Sequence, residues 1–242
     1  MRNAPAAFGT YIAGVLAARP GPLRVLEIGG GATTRLPLTD AHLTVLDNSA
    51  EALARNEVAQ EKLLGDAQSF DLGTDRFDVA VFWNVLEHIP QPEKALARAC
   101  DSLRPGGLLI VRGPELKSFK ALVTRYTPYP LHVLFYRRVL GLPDAGREGR
   151  APCKIYHSRG SDRSRIIATI VERGLSVRYQ ELFVGDQVVK LRRYSRFGYY
   201  VYAGAAKLLR VATGRRLGSR ETEFVLAAER PRDLTTRSLA AR

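Results

Sequence analysis

A run of aliphatic residues that breaks into three consecutive glycines constrains this chain more than any other feature. Leu23 to Ile28 reads LRVLEI, and Gly29-Gly30-Gly31 follows at once. An apolar run of that length bounded by a turn signal reads as a buried strand. Glycines directly after it let the backbone turn tightly and approach a ligand where a Cβ would collide. The same grammar repeats downstream. Leu43 to Leu46 is a second strand ending at Asp47, and Ser49 is placed to cap a helix running to about Gln60. Lys62 to Leu64 is a third strand ending at Gly65-Asp66, and Asp78 to Trp83 (DVAVFW) a fourth. A helix from Glu93 to Leu103 is stopped by Pro105-Gly106-Gly107, before a fifth strand from Leu108 to Val111. Strands that alternate with helices predict a mostly parallel, doubly wound α/β sheet.

The alternation begins after an amphipathic helix, Asn3 to Ala18, and it breaks after Arg112. Gly113 to Gly160 is rich in Pro, Gly, Arg and aromatic residues and reads as a helical cap between loops. Ser161 to Arg173 returns to a helix ended by Gly174. Leu175 to Val184 and Glu223 to Glu229 read as the last strands, separated by a basic, aromatic helical stretch from Gln187 to Gly214. The expected organisation is one domain over 1–242. It comprises a core at 20–112, a lid insertion at 113–160, a basic aromatic helical insertion at 185–216 and a flexible tail at 231–242. Charge divides along the same line. Residues 1–110 hold 10 Lys and Arg against 13 Asp and Glu, whereas residues 111–242 hold 27 against 11, so the net charge of +13 arises wholly from the second part. A basic region of that kind suits an anionic partner, or is a set of arginines on solvated faces. Cys100 and Cys153 suggest no disulfide framework, which makes the cytoplasm the expected compartment. No signal peptide is read at the N-terminus, and no apolar stretch is long enough to cross a bilayer.

The glycine turn alone marks any nucleotide-binding α/β module. Asp47 adds a carboxylate at the end of the second strand, placed to accept from both ribose hydroxyls of a nucleoside. These two features also fit a nicotinamide-dependent oxidoreductase. Glu27 counts against that reading, because a carboxylate two residues before the first glycine suits a cationic ligand. Asp66 counts against it too, placed to accept from the exocyclic amine of adenine. With FDVAVFWNVLEHI and LRPGGLLIV following, the segment Arg24 to Arg112 resembles the class I S-adenosylmethionine-dependent methyltransferases, in particular the small-molecule, ubiquinone-type group.

That resemblance implies a Rossmann-like seven-stranded sheet and S-adenosyl-L-methionine as cofactor, with S-adenosyl-L-homocysteine as product. It places Glu27, Gly29, Gly30 and Gly31 at the methionine part of the cofactor, Asp47 at the ribose, and Asn48 along the adenine. Asp66 and the Ala67 backbone fall at the adenine amine, and Asn84 near the methionine moiety. Thr33 stands where a third glycine is usual, and the segment to Pro37 is short for the usual first helix.

For a hydroxyl acceptor, catalysis requires alignment and removal of a proton. His88, after the fourth strand, is the candidate general base and His157 the alternative, although Glu87-His88 is also read as helix-start scaffolding. Some similar quinone-pathway enzymes bind a metal through E-x-x-E-H. Asn84 takes the first position here, so no metal is expected. Candidate acceptor residues are Tyr126, Tyr129, His132, Phe135, Tyr136, Arg137, Arg138 and Tyr156. The expected activity is methylation, at oxygen, of a small-molecule or a lipid- or sugar-linked acceptor, anionic ones included. A peripheral contact with the inner face of an anionic membrane is a further expectation, because basic residues flank the charge-free run Gly198 to Ala206. Nucleic acid is disfavoured, since Asn84-Val85-Leu86-Glu87 stands where an N-P-P-Y-type motif would be. An RNA methyltransferase, a non-enzymatic cofactor-binding partner and an oxidoreductase are the competing readings.

Overall fold

The computed structural model describes residues 4–36, 40–138, 141–146, 155–156 and 158–232. His157, Cys153 and the tail beyond residue 232 lie outside these. The chain forms two compact units. One comprises 1–113, 158–181 and 224–242, the other 114–157 and 182–223. The expected lid and basic helical insertions therefore fall mainly in the second unit together.

A seven-stranded sheet runs in the order β3-β2-β1-β4-β5-β7-β6. Its strands are β1 (Leu23–Ile28), β2 (Ala41–Asp47), β3 (Glu61–Leu64), β4 (Phe77–Trp83), β5 (Leu103–Pro114), β6 (Ser176–Phe183) and β7 (Glu223–Glu229). β1 pairs in parallel with β2 and β4, β2 with β3, and β4 with β5. β7 runs against β5: the Gly106 N–H donates to the Arg230 carbonyl, and the Arg230 N–H donates to the Gly107 carbonyl. Central parallel strands are covered on both faces and therefore read as unbroken apolar runs. Val25, Leu26, Val79 to Phe82 and Leu109 to Val111 are almost wholly buried. The strand order reverses between β1 and β4, which makes their carboxyl ends the topological switch point where ligands of open α/β sheets bind.

In the first unit the helices are α1 (Ala6–Ala17), α2 (Ala50–Ala54), α3 (Pro92–Ser102) and α6 (Arg163–Glu172). The second unit holds α4 (Phe119–Tyr126), α5 (Tyr129–Arg138), α7 (Asp186–Tyr194) and α8 (Arg196–Ala212). α1 buries Phe8 and Ile12, and the rings of Phe8 and Tyr11 pack on Tyr179 of β6. α3 and α6 contribute Leu96, Ala99, Cys100, Ile166 and Ile170 to one core with Leu26, Phe82 and Val111. Burial pushes the Cys100 thiol up to about 12, so it stays protonated and packs as a small apolar group.

Two boundaries differ from the sequence expectation by more than the end of a turn. The helix after Ser49 stops at Ala54 and not near Gln60. Ser49 caps its start by accepting from the Ala52 N–H, but the Asn56 side chain then accepts from the N–H groups of Val58 and Ala59. That local turn competes with helix continuation. β5 begins at Leu103, because Pro105-Gly106-Gly107 bulges within the strand and does not precede it. Phe77 faces Leu103 and Val79 faces Leu108, so the partner strand absorbs three extra residues. Gly106 takes the left-handed φ that such a bulge needs.

Candidate cofactor site

The carboxyl ends of β1, β2 and β3 are linked by main-chain hydrogen bonds. The Gly29 N–H donates to the Leu46 carbonyl at 2.8 Å, and the Gly65 N–H donates to the Asp47 carbonyl at 3.0 Å. The glycine turn, Asp47 and the Gly65-Asp66 corner are therefore neighbours in space as well as in pattern. Gly29 and Gly31 have φ of 69° and 50°, the left-handed region that disfavours any side chain. A Cβ at Gly29 would also drive into the Val85 side chain, just past the end of β4. A Cβ at Gly31 would approach Asp47 Oδ2 to 3.5 Å, so this carboxylate faces the turn. The Asn56 Nδ2 donates to the Gly31 carbonyl at 2.8 Å and holds the turn from behind.

Among the described residues, no helix follows this turn before β2, as the short segment to Pro37 implied. The Thr33 N–H closes a turn onto the Gly30 carbonyl, and the chain then folds back over Glu27. Glu27 is buried. Its Oε2 accepts from Thr34 Oγ1 at 2.5 Å, and both carboxylate oxygens receive the Arg35 N–H. Burial raises the Glu27 carboxyl above its usual range, and the Thr34 and Arg35 hydrogen bonds counter only part of that. Sequence reasoning missed this clasp, because the only hint of it is the short stretch between the glycines and β2.

Asp47 Oδ1 accepts from the Ser49 N–H at 2.9 Å, which leaves Oδ2 toward the turn. Asn48 is exposed beside it. Asp66 is exposed, and its carboxylate accepts from the Gln68 N–H and Nε2. Ala67 is half-buried against the core. Asn84 is exposed, with a φ of 54°, and its N–H donates to the Arg112 carbonyl, which anchors the end of β4 to β5. Leu86 to His88 then forms a single 3-10 turn. Its Leu86 carbonyl accepts from Ser161 Oγ at 3.1 Å, so a residue far along the chain fixes the turn that carries half-buried His88.

The candidate acceptor residues belong to the second unit. Neither α4 nor α5 contains a buried residue. Tyr126 is 77% exposed, with the Arg125 guanidinium 5.9 Å from its ring. Tyr129 and Phe135 are exposed, and His132 and Tyr136 half-buried. Gln187 Nε2 donates to the Tyr136 hydroxyl, and Arg137 Nε donates to the Ala145 carbonyl. Arg138 and Tyr156 are exposed. Among the described residues, no three His, Cys, Asp or Glu side chains gather as metal ligands would.

Residues 2–139 match the family described as a methyltransferase domain. A phytyl-hydroquinone relative, 2-methyl-6-phytyl-1,4-hydroquinone methyltransferase 2 of Oryza sativa subsp. japonica, is 33% identical over 110 residues. These are 40% of this chain and 31% of the relative. A demethylmenaquinone methyltransferase of Renibacterium salmoninarum is 32% identical over 117 residues, 46% of this chain and 49% of its own. The matches thus span half or less of these relatives' lengths. A SAM-dependent methyltransferase structure from Methanosarcina mazei, 14% identical, superposes with a TM-score of 0.56 over 96% of this chain and 100% of that one, and shares the fold. The chain belongs to the methyltransferase-domain family, in the class I group that uses S-adenosylmethionine.

The residues present fit that cofactor. Gly31, at positive φ, leaves open the space beside Asp47 Oδ2 that a side chain would fill, and two carboxylates, Asp47 and Asp66, stand at or just past adjacent strand ends.

Proposed function

We propose that the protein is an S-adenosylmethionine-dependent methyltransferase acting at oxygen on a small-molecule or lipid- or sugar-linked acceptor. The observation that carries this reading is the set of three tied strand ends: the left-handed Gly29 turn, Asp47 facing it, and exposed Asp66 at the next corner. The names of the two quinone-type relatives support a lipid-linked acceptor.

Asp47 holds the ribose, with Asn48 along the adenine. Asp66 and the Ala67 backbone meet the adenine amine. Gly29, Gly30, Gly31 and Asn84 surround the methionine part. Glu27 acts there through the Thr34-Arg35 clasp it supports. Bound S-adenosylmethionine supplies an activated methyl group and leaves as S-adenosylhomocysteine. His88 takes the acceptor's proton, and its 3-10 turn keeps it at the carboxyl edge of β4. Acceptor choice belongs to Tyr126, Tyr129, His132, Tyr136, Arg137 and Tyr156. The protein works in the cytoplasm with peripheral contact to an anionic membrane.

Thermal shift with S-adenosylhomocysteine against NAD tests the cofactor reading, since a ligand that binds only the folded state raises its melting temperature. Stabilisation by the first alone is expected; stabilisation by NAD alone overturns it. His88→Ala should lower turnover at unchanged cofactor affinity, and unaltered turnover removes His88 as base.

A further inference from the structure

α8 has two faces, and only one of them is used by the fold. Ala206 is fully buried, and half-buried Tyr202 and Leu209 lie on the same side. Phe197, Tyr200, Val201, Leu208 and Val211 all point to solvent, at 57–81% exposure. Their spacing of three, four and seven residues puts them on one stripe with exposed Gly204, opposite Ala206. Exposed Arg196 and Lys207 border that stripe on one side, and exposed Arg210 lies beyond them, near Glu221. From Gln187 to Arg220 the chain holds nine basic residues and no acidic one.

We propose that this outward face of α8 lies in the surface of an anionic phospholipid bilayer, with its axis parallel to the membrane plane. The inference rests on the reading of peripheral membrane contact and gives that contact a location. Charge complementarity selects the occupant. A large apolar stripe bordered by basic side chains matches the boundary between anionic headgroups and acyl chains. Arg196, Lys207 and Arg210 keep their ammonium and guanidinium groups at headgroup level while their stems add apolar contact. A second copy of this chain fits poorly, because self-pairing would bring two basic borders together. Nucleic acid would use the cations but leave Val201, Leu208 and Val211 without a role. No described helix is long and apolar enough to cross a membrane, so the contact is in-plane.

The test is co-sedimentation of the whole protein with vesicles of phosphatidylcholine alone or mixed with phosphatidylglycerol, at low and high salt. The expected result is binding to the anionic vesicles at low salt, roughly tenfold stronger than to neutral ones and weakened by salt. Leu208→Ser with Val211→Ser should abolish it, and Lys207→Gln with Arg210→Gln should weaken it. These side chains are exposed, and the S-adenosylhomocysteine thermal shift measured on the same samples reports folding and the cofactor site independently. Failure of the unmodified protein to bind any vesicle at low salt overturns membrane contact altogether. Binding that survives the double serine change overturns the assignment to α8 alone. A concentration-dependent dimer abolished by the serine changes overturns the lipid occupant in favour of a second copy.

Discussion

Glu27 is a carboxylate that its surroundings hold in place at an electrostatic cost. Burial raises its pKa, while Thr34 and Arg35 offset part of the penalty. An acid whose pKa is raised by folding stabilises the fold only while protonated. That contribution is complete below the ordinary value of 4.5 and is lost as pH rises through the raised folded value. Glu27→Gln keeps an oxygen for Thr34 and Arg35 but never ionises. The melting temperature of the cofactor-free variant, relative to the unmodified protein, should therefore climb as pH increases from the acid range to neutrality. A difference that stays flat across that range removes the linkage. Asp47 sits in a different environment, half-buried and already accepting from the Ser49 N–H. Asp47→Ala should weaken S-adenosylhomocysteine roughly tenfold or more, the scale of losing a charged hydrogen-bond acceptor, with little change in melting temperature. Calorimetric titration checks this, and an unchanged dissociation constant ends the ribose assignment.

At the level of elements, the readable parts were those where local sequence and burial agree. β1 and β7 have the bounds their apolar runs imply, because a central strand covered on both faces has no reason to alternate. The strand-end positions of Asp47 and Asp66 were legible for the same reason. Side chains that act across the chain were not. Asn56 shortens α2 and reaches back to the Gly31 carbonyl, Val85 packs where a Gly29 side chain would go, and Ser161 braces the His88 turn. No periodicity announces such contacts. Asn56 is buried and makes three hydrogen bonds, to Val58, Ala59 and Gly31. Asn56→Ala should cost about 1–3 kcal/mol by leaving buried partners unsatisfied. It should also weaken cofactor binding, because the turn loses its support. Denaturant unfolding and titration of one preparation measure both, and a stability loss with unchanged affinity would show that the turn keeps its shape alone.

Across the molecule, the two units divide the chemistry of the sequence. The first carries the near-neutral core and every cofactor candidate, and the second carries most of the cationic excess. Hydrogen exchange with and without S-adenosylhomocysteine should show new protection over residues 27–35, 47–49 and 66–68, with residues 196–216 unaltered. Protection gained only in the second unit would overturn the placement of the site. The sheet edge remote from that site is built quite differently. Arg230 is buried at the amino-terminal edge of the sheet. There it donates to Asp75 Oδ1 at 2.7 Å and to the Leu103 carbonyl, while its own backbone binds both Gly106 and Gly107. One residue near the end of the described chain thus rivets β4, β5 and β7 at the edge opposite the proposed site. Strand register is secured from the rear, so the loops at the opposite edge are free to diverge: new acceptor specificities could be explored by changing those loops while the registration of the sheet is inherited intact.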